Sequence, residues 1–334
     1  MRGRWLVLAL LVSGALRFTA QTDGTESASV HICSRNSGGK APKQAASPHV
    51  RGHTLNEIDL ITHHQFRKNK LESQALFNSQ KMLGMFRTSE QFVESVFSAL
   101  NASKTPCVLW GHYLLNVHGV PSIIGSIDFV VQDQMLSVGA DAISELPEIE
   151  QCPSVELCFA SSPERRTPPP AFHVHIKSSE LTIGLYLQSE TLWFLPDFDD
   201  SLLAFEDKQS ATFALAHDRD VLPPWRPGRG SGAFKSSDTS IVVPRSHILL
   251  EAYLRLYARD SGKTMGSFAM AMIAYMEEYV DDDGLLDSTR LPEPLKSFYD
   301  ELRVGEKPLR QWTKEFKESL DIPDEESEDE DLWS

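Results

Sequence analysis

Asp128 sits two residues beyond Ser126 inside the apolar run Ser126-Ile-Asp128-Phe-Val-Val. Burying an unpaired carboxylate is costly, so this one needs either a cation or a hydrogen-bond donor beside it. Alternate residues of a strand share a face, so acids at both positions would hold a metal between them; with a serine at 126 the pair carries one negative charge. Upstream, Gly111-His112 follows the apolar run Cys107-Val-Leu-Trp110. A turn there that opens a helix presents backbone N–H groups to an anion such as a phosphate, with Gly111, His112 and Ser126 as the cofactor-binding candidates. A helix-opening turn without a ligand is the other reading of the same residues. Downstream, His173-Val-His175 places two imidazoles on one face of a strand, a spacing suited to a transition metal. Asp128, His173 and His175 together would favour Zn²⁺ or Mn²⁺ over Mg²⁺, whereas two metal-free histidines on a half-exposed strand are the plainer alternative.

Other short patterns carry less. Ser261-Gly-Lys-Thr264 has the end of a phosphate-binding loop but not its earlier glycine, and Asp281-Asp-Asp-Gly284 has no leading carboxylate at the first position of a calcium loop. No Gly-x-Ser-x-Gly, His-Glu-x-x-His or Cys-x-x-Cys motif occurs, so nothing in the local spacing indicates a hydrolase or a zinc domain. Four cysteines, Cys33, Cys107, Cys152 and Cys158, are too dispersed for a disulfide scaffold. Cys107 belongs to a buried strand; Cys152 and Cys158 either pair in an oxidising compartment or stand as two separate structural thiols.

Positioning these residues requires strands over 107–110, 124–132, 155–159, 171–177 and 181–187, separated by turns. Thr88-x-x-Gln91 opens a helix whose Phe92, Val93, Val96, Phe97 and Leu100 share one face, and Met135, Leu136, Ala140 and Ile143 mark another. Arg165-Arg-Thr-Pro-Pro-Pro170 must be a loop, and Trp225-Arg-Pro-Gly-Arg-Gly-Ser-Gly232 a flexible crossing. From Pro244 the pattern turns helical, with apolar faces at Leu249, Tyr253, Leu256 and Tyr257, then at Met265, Phe268, Met272 and Met276, and shorter helices near 292–303 and 308–320.

Val-Leu-Trp-Gly at 108–111, Gly-Val-Pro at 119–121 and Asp-Phe-Val-Val at 128–131 resemble the opening of the minimal nucleotidyltransferase fold, and are similar to filamentous-fungal proteins of unassigned activity. In that family an apolar strand ends in Gly-Gly or Gly-Ser, and a later strand carries two acids that hold Mg²⁺ against a nucleoside triphosphate. The resemblance implies an α/β (α+β) fold, a mixed sheet with flanking helices, plus a C-terminal helical bundle. It also implies a degenerate site, because His112 replaces the small residue and Ser126 the first acid. The expectation is non-catalytic ligand or partner binding by a pseudoenzyme. The alternatives are an active nucleotidyltransferase acting on a small molecule or protein, with Asp128 as the catalytic metal ligand and Mg²⁺ and nucleotide as cofactors, and a secreted interaction protein.

The chain has 334 residues, is 41% hydrophobic and carries a formal net charge of −15. Asp324 to Asp331 contributes seven of those negatives, and the acidity of the remainder still disfavours nucleic acid as a partner. The expected organisation is a signal peptide over 1–20, a disordered linker over 21–55, an α/β domain over 56–240, a helical domain over 241–322 and an acidic disordered tail over 323–334. Arg2 and Arg4 before the apolar run Trp5–Val12 give the leader its character and direct the chain to the secretory pathway; a wrongly assigned start before a cytoplasmic protein is the alternative. No segment reaches transmembrane length.

Overall fold

The apolar runs of the sequence become strands wherever they are too short for a helix and rich in β-branched or aromatic residues. A computed structural model describes residues 90–323, apart from 156–157, 163–164, 166, 207–208 and 237–239. The leader, the linker, the first part of the expected α/β domain up to residue 89 and the acidic run from Asp324 lie outside the described residues.

The first element is α1 (Glu90–Ala102), whose Phe92, Val93, Val96, Phe97 and Leu100 are buried on one face. Next come β1 (Cys107–Trp110), the two-turn helix α2 (Gly111–Val117), β2 (Ser126–Val131), α3 (Leu136–Ser144) and the short β3 (Ile149–Glu150). After a long connection follow β4 (Phe172–Ile176), β5 (Thr182–Leu187), α4 (Gln188–Thr191), β6 (Phe213–Leu215) and β7 (Val242–Pro244). Helices α5 (Ser246–Asp260), α6 (Thr264–Met276), α7 (Leu295–Val304) and α8 (Leu309–Ser319) complete the described chain. The fold is therefore mixed α/β with a helical C-terminal part, as expected. No helix among the described residues is long and apolar enough to cross a membrane.

Five strands form one mixed sheet in the order β1-β2-β5-β4-β3, and β6 and β7 form a separate antiparallel pair. Strands β2 and β5 run parallel while the other neighbours run antiparallel. The register decides which residues meet. Trp110 pairs with Asp128, Asp128 with Gly184 and Gly184 with His173; two residues along, Ser126 pairs with Thr182 and Thr182 with His175. Residues directly opposite one another share a face, so these two rows make one polar face of the sheet.

The other face carries Leu109, Ile127, Phe129, Ile183, Leu185 and Val174, all fully buried. Helix α3 lies against it so closely that a Cβ at Gly139 would meet Leu185 at 3.4 Å. On the polar face, α5 and α6 cover the first row: the rings of Trp110 and Tyr253 are 5.6 Å apart, and Phe268 packs edge-on to Tyr253. Beyond them α7 and α8 bury Tyr299, Trp312 and Phe316, and the Trp312 indole N–H donates to the Phe298 carbonyl at 2.9 Å. Gly305, left-handed at φ 67°, ends α7.

Two expectations met a different outcome, and three short strands were not foreseen. The strand expected over 155–159 is absent from the described residues there, and Phe159–Ser161 forms a 3₁₀ turn instead, opened by the Cys158 sulfur accepting from the Ala160 N–H. Strands β3, β6 and β7, two or three residues each, are too short to show a period of two. The crossing over 225–232 is tied down, because Asp283 accepts from Arg226 at 2.8 Å and from Arg229 at 2.7 Å and 3.0 Å.

Candidate functional site

Asp128 is 3% exposed, and its neighbours explain how a charge is held there. The Ser126 hydroxyl donates to Asp128 Oδ2 at 2.7 Å, while Oδ1 has no hydrogen-bond partner among the described residues. Both oxygens face glycine backbone. A Cβ added at Gly111 would stand 2.5 Å from Oδ2, and one at Gly184 would stand 2.5 Å from Oδ1. Gly111 is also left-handed, at φ 67°, so two properties of glycine are used at that one position. Burial pushes the Asp128 carboxyl up to about 6, against the Ser126 hydrogen bond and the Arg165 charge, which pull it down.

Gly111 and His112 open α2, which is only seven residues long. His112 Nδ1 lies 2.5 Å from the Ser122 hydroxyl, and its ring packs edge-on to Phe268. Burial, with Arg165 adding to it, lowers the His112 pKa to about 4. The imidazole is therefore neutral near pH 7 and brings no charge to a phosphate.

His173 and His175 do come together, with partners that local spacing did not indicate. Their ring centroids are 5.5 Å apart, and the Nε2 of each lies 3.3 Å from Cys158 Sγ. Cys152 joins them: one ligand atom from each of Cys152, Cys158, His173 and His175 falls within 4.8 Å of all the others. Asp128 stands apart from this group. It occupies the row of Trp110, Gly184 and His173, with its oxygens turned to Gly111 and Gly184. Burial, His175 and Arg165 keep the His173 pKa below its ordinary value. Two thiols and two imidazoles are the donors that a borderline-soft cation prefers, unlike the oxygen set that Mg²⁺ requires.

A cavity of about 760 Å³ is lined by the row of Ser126, Thr182 and His175. That volume is within the range of small-molecule sites. Cys158, Arg165 and His112 are also among the residues that line it. Ile123 and Phe159, 78% and 73% exposed, give it an apolar rim. The Arg165 guanidinium donates to the Ala160 carbonyl at 2.9 Å and to the Thr167 hydroxyl, which holds its charge at the wall.

No family model, curated protein or solved structure matches this chain. Its chemistry has to be read from the geometry. The alternation of strand residues foretold Ser126, Asp128, His173 and His175 as face-sharing groups. Cys152, Cys158, Thr182 and Arg165 were missed as site residues because they reach the site through strand pairing or an irregular connection. The one available signal for the cysteines was their position shortly before a His-x-His strand.

Proposed function

We propose that this chain is a non-catalytic ligand-binding protein on a degenerate nucleotidyltransferase-like scaffold, and that its cavity takes a compact, largely apolar molecule with one anionic group facing Arg165. The observation that carries this reading is the contrast between two adjacent rows of the sheet. Asp128, the one acid in the position of a metal ligand, is enclosed between Gly111 and Gly184 and tied to Ser126. The next row, Ser126, Thr182 and His175, lines the cavity instead.

An active nucleotidyltransferase would need hard oxygen ligands for Mg²⁺ and enough positive charge for a triphosphate. A hydroxyl that donates to Asp128 and a neutral His112 supply neither. Arg165, the one guanidinium among the described lining residues, shares the wall with Glu180 and suits a single carboxylate or sulfonate better than a triphosphate.

Anilinonaphthalene sulfonate, an aromatic monoanion, is the probe for this reading. Titrated into the folded protein, it should bind with a stoichiometry of one and a rise in fluorescence. Gly125 lines the cavity, and a Cβ there meets nothing within 4 Å, so a side chain can start at this position and Gly125→Trp is the variant chosen to fill the space. The variant should keep the wild-type melt and lose the probe. Equal binding by both proteins would remove the cavity from the account.

A further inference from the structure

We propose that Cys152, Cys158, His173 and His175 form a four-coordinate Zn²⁺ centre that fastens the chain around 152–161 onto β4 and so builds the outer wall of the cavity. The donor atoms are already placed for it. Zn–S bonds of about 2.3 Å and Zn–N bonds of about 2.0 Å at a tetrahedral angle set a sulfur and a nitrogen roughly 3.5 Å apart. Cys158 Sγ lies 3.3 Å from Nε2 of both His173 and His175. Two imidazoles converging by the same nitrogen on one sulfur is the arrangement of a shared metal; a Cys152–Cys158 disulfide has no need of either ring. The Ala160 N–H, 3.4 Å from Cys158 Sγ, adds the backbone donor that a thiolate ligand commonly receives.

The local chain gives such a centre a structural task. Between β3 and β4 the described residues contain one 3₁₀ turn and no strand, so main-chain pairing does little to hold Cys158 and Phe159 against the sheet. Histidines from β4 and cysteines from the connection would close a loop of irregular chain onto a rigid strand, which is where a metal cross-link restrains the most. Binding displaces one proton from each thiol; both imidazoles bind neutral, and two thiolates balance the two positive charges of the ion. The centre is then uncharged, which suits its half-buried position. With all four sites taken by protein it is a structural centre that leaves no position for substrate.

This inference is independent of the ligand reading, because metal content reports it whether or not the cavity binds anything. Full-length protein purified without chelator or added metal should contain about one zinc per chain by elemental analysis. Protein stripped of zinc and given Co²⁺ should develop the visible bands of tetrahedral cobalt together with thiolate-to-metal charge transfer. Cys158→Ser and His175→Asn should each abolish both. The cobalt spectrum of wild-type protein stands as a reading that needs no variant and survives the loss of fold in either one. Absence of zinc with no cobalt uptake by folded wild type would overturn the proposal. So would a Cys152–Cys158 disulfide in the isolated protein, or full zinc content in the variants.

Discussion

The hydroxyl of Ser126 donates to the carboxylate of Asp128 at 2.7 Å, from two residues earlier on the same strand. A second acid at that position would pair with Asp128 around a metal. A serine instead satisfies one oxygen of a lone buried carboxylate and leaves the other against Gly184. The two residues thus form a small closed unit, and its energetics can be tested directly.

The Asp128 carboxyl titrates near 6 rather than its ordinary 3.8, chiefly because it is buried. A group whose folded pKa is raised contributes stability that is fully present below the ordinary value and lost as pH rises through the folded one. A displacement of that size corresponds to roughly 3 kcal/mol. Asp128→Asn removes the titration. The difference in unfolding free energy between variant and wild type should therefore shift in the variant's favour by up to about 3 kcal/mol between pH 4 and pH 7. Denaturant melts across that range provide the measurement, and parallel curves for the two proteins would contradict the assigned burial.

Gly184→Ala should destabilise the fold by about 1–3 kcal/mol, because the new methyl would stand 2.5 Å from Asp128 Oδ1 and 3.2 Å from Pro170 Cβ. Much of that effect belongs to the carboxylate. Combining it with Asp128→Ala should recover a large part of the loss, giving a clear coupling energy in a double-mutant cycle. Strict additivity would mean that the glycine is needed for its backbone alone.

Asp283 holds Arg226 and Arg229, and the hydrogen bonds from Arg229 chiefly lower its pKa. The stability this gives is present above the ordinary carboxylate pKa and declines as pH falls through the lowered one. Asp283→Asn should weaken the tie on residues 225–232 and speed tryptic cleavage after Arg229 several-fold, with a smaller change in the global melt. Cleavage at the wild-type rate would show that the backbone bonds from Gly230 to Gly119 and from Gly232 to Asn116 hold the loop without it.

Much of the fold was legible because its main elements obey a local period. The buried face of α1, the four longer strands and the faces of α5 and α6 follow from residue type and spacing alone. What pairs with what did not follow. Gly184 lies 56 residues from Asp128 in sequence yet beside it in the sheet, and only the β2–β5 register reveals that this glycine makes room for the carboxylate. The same holds for the cysteines. Cys158 lies fifteen residues before His173, across an irregular stretch, and no short motif encodes that closure. Regular structure can be read locally; a site assembled through an irregular connection cannot.

The central claim, that the scaffold binds without catalysing, is tested most directly by pyrophosphate release. Wild-type protein incubated with Mg²⁺ and each of ATP, GTP, CTP and UTP, alone and with protein or amine acceptors, should release none above the buffer blank. Magnesium-dependent release that Asp128→Asn abolishes would contradict the account and restore Asp128 as a catalytic metal ligand.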